Sequence, residues 1–371
     1  MSKPKVIAFY LPQYHPTPDN DRWWGKGFTE WTNVGKAKPL FKGHYQPKVP
    51  ADLGYYDLRL PEVREAQAEL AREAGVYGFC YYHYWFGNGK RELELPFNEV
   101  LKSGKPDFPF MLCWANESWH KKFWNKDGQG SSKELLIEQT YPGEEDIINH
   151  FYSLLPAFKD KRYIRIKGKP AFMIYKPHFI PSSFKYLKIW NELALKEGLG
   201  SFAFIAFIQS EIEQGCKEII SIEKYLSSGY DYICSNRFYN LLKERSFKDK
   251  AILKFKRIFK NHPLKLKYDD YLNLLKNDLD LRNDIFPVIY PNWDHTPRSG
   301  AGGFLFHDSS PNKFKIGLKI LFDNLSDKEK ESNYVFLKSW NEWGEGNYLE
   351  PDLKYGKSYI EVLKQELEKY K

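Results

Sequence analysis

Short apolar runs alternate with longer amphipathic stretches along most of the chain. Val6–Tyr10, Val76–Tyr82, Pro109–Trp114, Ala171–Tyr175, Phe202–Ile208, Tyr230–Cys234, Phe286–Tyr290 and Tyr334–Trp340 read as strands. They are continuously apolar, as strands are when both faces of a sheet are covered. Helical patterns fall between or after them, at Pro61–Gly75, Leu95–Lys102, Glu144–Pro156, Phe184–Glu197, Lys313–Asn324 and Lys357–Tyr370. Eight strands separated by helical crossovers imply a parallel sheet, and eight close a barrel. The expected fold is α/β, a single (β/α)8 TIM-type barrel over residues 1–371. The doubly wound alternative needs a glycine-rich loop after its first strand, and Leu11-Pro12-Gln13-Tyr14-His15 contains no glycine. Ser235–Asp284 breaks the rhythm and reads as a basic helical insertion between the sixth and seventh strands.

In such a barrel, chemistry sits at the C-terminal ends of the strands. Polar and aromatic residues cluster there. Tyr10, Gln13, His15, Glu30 and Trp31 end or follow the first run, and His83, Tyr84 and Trp85 follow the second. Trp114, Asn116 and Glu117 mark the third, Trp293 and Asp294 the seventh, and Asn341, Glu342, Trp343 and Glu345 the eighth. Any one cluster could be loop polarity beside a core ring. Together they fit a cleft in which sugar C–H faces pack on aromatic rings and polar groups take the hydroxyls. The 11 Trp, 26 Tyr and 27 Phe allow either a ring-rich core or such a cleft.

The acidic pair narrows the choice. Glu342 and Glu345, three apart, would point to opposite faces of a continued strand. Gly344 and Gly346 let the chain turn instead, so that both carboxyls face one cleft. Neighbouring carboxyls under rings separate into an acid and a base, the division that glycosidic cleavage needs. A salt-bridged loop is the alternative. The scattered histidines offer no three-ligand metal site, and no metal or other cofactor is expected. Asp278-Leu279-Asp280 formally matches a metal–diphosphate motif but reads as a solvated helix face.

Charge is local. Lys243–Lys267 holds ten Lys or Arg against two acids, a surplus equal to the formal net charge of +8. The rest is balanced, so nucleic acid is not an expected partner. A helix there would interleave Ile252, Leu253, Phe255, Ile258 and Phe259 with cations and suit an anionic membrane surface. Packing on the barrel is the alternative. Four cysteines without a Cys-x-x-Cys pair, and an N-terminus that runs straight into a strand, imply a cytoplasmic protein, peripheral at the inner face of the membrane if that segment binds lipid.

Gly27-Phe28-Thr29-Glu30-Trp31, Tyr81–Phe86, Trp114-Ala115-Asn116-Glu117 and Trp340–Gly346 resemble the motifs of WbsX-type proteins, which are similar to glycoside hydrolase family 99. The resemblance runs from Tyr10 to Pro351. It implies a (β/α)8 barrel and a place in bacterial surface-polysaccharide biosynthesis. It also implies a retaining endo-glycosidase-like mechanism in which Glu342 takes a proton from the substrate's own 2-hydroxyl and Glu345 is the acid/base. The implied partner is an oligosaccharide or polysaccharide substrate. WbsX-type proteins were named as glycosyltransferases, so transfer in O-antigen, capsule or lipopolysaccharide synthesis is a second reading. A non-catalytic glycan-binding protein is a third.

Overall fold

A computed structural model describes residues 2–121, 134–209, 218–243 and 262–370. Eight parallel strands form its centre: β1 (Lys5–Tyr10), β2 (Gly78–Trp85), β3 (Phe110–Trp114), β4 (Lys169–Ile174), β5 (Ala203–Gln209), β6 (Tyr232–Asn236), β7 (Ile285–Ile289) and β8 (Tyr334–Leu337). Each pairs in parallel with the next, and β8 pairs with β1 through Lys5–Tyr334 to Ala8–Leu337. The ring is therefore a closed (β/α)8 barrel, as its alternating pattern requires.

Crossover helices cover the outside: α1 (Pro61–Glu73), α2 (Leu95–Ser103), α3 (Glu144–Lys159), α4 (Ser183–Lys196), α5 (Glu218–Ser227), α6 (Tyr268–Leu272) and α7 (Pro311–Asn324), with α8 (Ser358–Leu367) after β8. Local chemistry sets several ends. Pro61 starts α1 at a position where no backbone donor is lost, and Gly75 (φ +79°) follows it. Ser310 caps α7 by accepting from the Lys313 amide at 3.3 Å.

Side chains alternate between the barrel interior and the helical layer. Inside, the Phe9 ring lies 5.4 Å from Tyr82, 5.6 Å from Phe207 and 5.7 Å from Phe336, which closes the barrel below its C-terminal mouth. Cys80, Cys113 and Cys234 are buried free thiols on β2, β3 and β6; Cys216 lies outside the described residues.

Strand ends shift from the expectation by a residue or two in several places, and most at the ends of β2 and β8. β2 runs on to Trp85, because Tyr84 and Trp85 pair with Arg91–Glu92 in a hairpin. β8 stops at Leu337, and the chain turns at the Lys338–Ser339 peptide. Between β6 and β7 the described residues include a short strand, Leu264–Leu266, paired in parallel with Phe304–Phe306, and α6. The interleaved Ile252–Lys260 stretch lies outside the described residues. Asp280 is not on a solvated face. It is fully buried and takes two 2.9 Å bonds from Arg237, a pairing that offsets part of the cost of burying the two charges. Among the described residues no helix is long and apolar enough to cross a membrane.

Candidate active site

A cleft of about 610 Å³ opens at the C-terminal mouth of the barrel, within the roughly 300–1,000 Å³ usual for small-molecule sites. Its floor and walls are the next inward positions above the aromatic closure. Leu11 follows Phe9, Tyr84 follows Tyr82, Gln209 follows Phe207, and Lys338 follows Phe336. The Lys338 ammonium is buried, donates to the Tyr175 hydroxyl at 3.2 Å, and stands 5.7 Å from the Tyr82 ring. Burial opposes its charge, but Glu342, with Tyr290 and Glu345, outweighs that and raises its proton affinity.

The acidic pair is set by a break in the strand. Asn341–Glu342 pairs antiparallel with Asn347–Tyr348, and Trp343–Glu345 forms a 3-10 turn between them. Asn341 ties this hairpin to β1's exit: its amide accepts from Leu11 N at 2.8 Å and donates to Leu11 O at 3.1 Å. Trp343 stacks on Tyr348 at 3.7 Å and donates to Glu350 at 2.6 Å. The two glycines serve different needs. Gly346 is left-handed (φ +54°) and ends the turn. Gly344 answers a problem of space, since a Cβ there would lie 1.6 Å from Glu30 Oε1.

That contact leads to the charge network. Arg298, on the short helix Thr296–Ser299, donates through Nε to Glu30 at 2.9 Å and through Nη1 to Glu345 at 2.6 Å. The same Nη1 is 3.6 Å from Glu342. Burial and then the neighbouring Glu345 charge push the Glu342 carboxyl up to about 7, against Lys338 and Arg298. Burial also raises Glu30, despite Arg298. His295, 3.8 Å from Glu345, is lowered to about 3 by burial and by Arg298, so its ring is neutral.

Of the sequence candidates, Gln13, Tyr84, Glu117, Trp293, Glu342 and Glu345 line the cleft. Several others sit one layer back and hold it. Asn116 clamps the backbone of Lys176 at 2.8 and 2.9 Å, and Lys176 faces the cleft 3.4 Å from Glu117. Asp294 takes bonds from His44 (2.8 Å) and Gln46 (2.7 Å); burial opposes its charge, but His44 and Lys48 hold its carboxyl below the usual range. Trp31 packs 5.6 Å from Trp343 and donates to Tyr56 O at 2.7 Å.

Tyr10, His15, His83, Trp85 and Trp114 are not among the lining residues. Tyr10 bonds outward to Gln67 of α1 at 2.6 Å, and His15 holds Pro12 O at 3.0 Å. His83 bonds His150 of α3 at 2.8 Å, Trp85 bonds Asp146 of α3 at 3.1 Å, and Trp114 bonds Trp85 O at 2.9 Å. Tyr10, His83, Trp85 and Trp114 belong to the outward parity of their strands, and His15 lies in the loop after β1. The same alternation brings into the cleft Tyr82, two before Tyr84, which ends the second apolar run and is not among the sequence candidates. Lys338 had a signal too, a lone cation at the end of an apolar run. Arg298 had none, since its partners are distant in sequence, whereas His295 stands beside Trp293 and Asp294 in the cluster after the seventh run. Among the described residues no group of His, Cys, Asp and Glu could hold a metal.

Comparisons with known proteins agree with this architecture. The profile described as Glycosyltransferase WbsX matches residues 6–363. A protein of Xanthomonas campestris pv. campestris called uncharacterized protein WxcX is 33% identical over 370 residues, 98% of this chain and 49% of its own length. The chain thus spans about half the length of the curated relatives it matches. A solved glycoside hydrolase-like protein superposes with a TM-score of 0.62 at 15% identity, covering 99% of this chain and 94% of its own. The GH99 endo-alpha-mannosidase from Bacteroides thetaiotaomicron, solved with bis-tris-propane, does so at 0.58 and 14%, covering 99% and 97%. At such identities these two likenesses speak for the fold alone, whereas the profile spans nearly the whole chain: this protein belongs to the WbsX glycosyltransferase family.

Proposed function

We propose that this chain is a carbohydrate-active enzyme that cleaves or transfers glycosidic bonds of a bacterial surface polysaccharide, with Glu342 and Glu345 as its reacting carboxylates. The observation that carries the reading is their convergence: one guanidinium nitrogen reaches both, 2.6 and 3.6 Å away, at the floor of an aromatic cleft. Two close carboxyls cannot both ionise freely, so one stays protonated as an acid while the other works as a base. Tyr82, Tyr84, Trp293 and Trp119 give the cleft ring surfaces for sugar C–H faces, and Gln13, Gln209 and Lys176 offer partners for hydroxyls. A retaining, endo-acting hydrolase is the finer reading, and a neighbour of similar fold is itself an endo-alpha-mannosidase.

The family's description favours transfer. Transfer would use the same pair, with a sugar hydroxyl replacing water. Asp280, buried against Arg237, gives no support to a metal–diphosphate site at 278–280. Soaking oligosaccharide fragments and nucleotide sugars into crystals separates the readings. We expect a sugar ring beside Glu342 and Glu345; a nucleotide sugar seated there would favour transfer, and sugar bound only elsewhere would refute the site. Action at the inner face of the membrane through 243–267 is part of the same proposal. Flotation with anionic vesicles, and none with neutral ones, is the expected result; negligible binding to both would remove it.

A further inference from the structure

We propose that Lys338 and the Tyr175 hydroxyl form a subsite for the carboxylate of an acidic sugar, so that the glycan on which this chain acts contains uronic acid units. This rests on the reading of the cleft as a glycan site and narrows its substrate class.

Lys338 stands apart from the other cations of the cleft. Arg298 is held by Glu30 and Glu345, and Lys176 lies 3.4 Å from Glu117. Among the described residues no carboxylate pairs with the Lys338 ammonium; Glu342 and Glu345 act on its charge from a distance and keep it protonated against burial. Lys338 is buried, yet it lines the cleft. An ammonium has three donors, and only the one that meets the Tyr175 hydroxyl, at 3.2 Å, has a partner. The Phe9 and Phe207 rings, 5.8 and 6.0 Å from the ammonium, belong to the aromatic closure beneath it. The remaining donors therefore face the cleft, and a buried donor left without an acceptor is costly.

The Tyr175 hydroxyl has to donate in the same direction. Lys176 can only donate, so its 2.5 Å bond fixes Oε1 of Gln209 toward it. That turns Nε2 of Gln209 onto the Tyr175 oxygen. The oxygen then accepts from Nε2 and from Lys338, which fills both of its lone pairs. Burial keeps the phenol protonated, and its proton has no acceptor among the described residues. Lys338 and Tyr175 thus offer donors and no acceptor.

That pattern selects among the groups a sugar can bring. A sugar hydroxyl donates as well as accepts, and these two side chains give its proton nowhere to go. A carboxylate only accepts, through two oxygens, and its single negative charge matches the single ammonium. In a buried, ring-lined setting such charge-assisted bonds are at their strongest. A phosphate dianion would bring a second negative charge near Glu342 and Glu345 that one ammonium does not balance.

Calorimetric titration of the full chain tests this without turnover. The probes are oligosaccharides containing glucuronic, galacturonic or mannuronic acid, and the same compounds with their carboxyls reduced to alcohols. At least one acidic probe should bind about tenfold or more tightly than its reduced form, as a hydrogen bond to a charged group implies. Lys338→Met should abolish that preference, and Tyr175→Phe, which keeps the ring, should lower it. A merely structural loss would weaken both forms alike, so the ratio is the reading that matters. Equal affinity for acidic and reduced forms in the wild type, or an unchanged ratio in either variant, would overturn the proposal and leave the glycan site standing. Binding of neither form would count against the glycan reading as well. A sugar phosphate that binds more tightly than every uronate probe, and does so through Lys338, would assign the subsite to phosphate and overturn the proposal too.

Discussion

The Tyr81–Phe86 segment and the Trp340–Gly346 segment look alike in sequence, each dense in aromatic and ionisable residues at the end of an apolar strand. They behave differently because one keeps the strand's period and the other breaks it. β2 continues through Trp85, so Tyr82 and Tyr84 face the cleft while His83 and Trp85 face α3. After β8 the chain folds into a hairpin and a 3-10 turn, and Glu342 and Glu345 reach the same side. Residue type alone does not assign a side chain to a cleft; the local backbone period does.

The largest expected effect tests the broken segment. Glu342→Gln and Glu345→Gln should each lower turnover of the natural glycan by about 10²–10⁴-fold, the usual cost of losing acid–base catalysis. An activated aryl leaving group should rescue Glu345→Gln and not Glu342→Gln. The opposite rescue would assign the acid to Glu342.

Gly344→Ala should come next. Its methyl would meet Glu30 Oε1 at 1.6 Å, and the Arg298 contact would have to open. We expect a loss of stability of about 1–3 kcal/mol, the range for overpacking, with activity falling further because Arg298 moves. An unchanged melting temperature and rate would mean that the turn tolerates a side chain and that the Glu30–Arg298 contact is dispensable.

A third effect has the opposite sign. Glu342 titrates near 7 in the fold and near its ordinary 4.5 when unfolded. Below 4.5 both states are protonated, and as pH rises toward 7 the unfolded chain loses its proton first, so the fold loses stability across that window. At about pH 8 the raised carboxyl costs on the order of 3 kcal/mol, from 1.36 kcal/mol per pKa unit. Glu342→Gln should therefore melt higher than the wild type at about pH 8, with the gap closing toward about pH 4. A pH-independent difference would show that burial does not raise Glu342.

The smallest effect separates the two faces of β2. His83→Ala should cost about 1–3 kcal/mol of stability, by leaving His150 without its 2.8 Å partner, yet spare substrate affinity. Tyr84→Ala should do the reverse and raise KM. Equal effects on KM would mean that β2 does not present alternate faces at its mouth.

The barrel was legible because eight short apolar runs recur between amphipathic helical stretches, an alternation that a closed parallel sheet requires. The glutamate turn was legible because Gly344 and Gly346 flank Glu345. The outward parity of His83 and Trp85 was missed because β2 looked finished at Tyr82, and only pairing with Arg91–Glu92 extends it. Arg298 was beyond reach for a physical reason: Thr-Pro-Arg-Ser-Gly has no hydrophobic period, and its contact with Glu30 spans 268 positions.

The central claim is that Glu342 and Glu345 do chemistry on a glycan. Incubating the wild type and the Glu342→Gln/Glu345→Gln double variant with oligosaccharides released from bacterial surface polysaccharides, and following chain lengths by mass spectrometry, tests it most directly. Shortened or extended chains with the wild type, and none with the folded double variant, is the result the account predicts. Chain lengths that change equally with both proteins, or tight binding by both with no change at all, would contradict it.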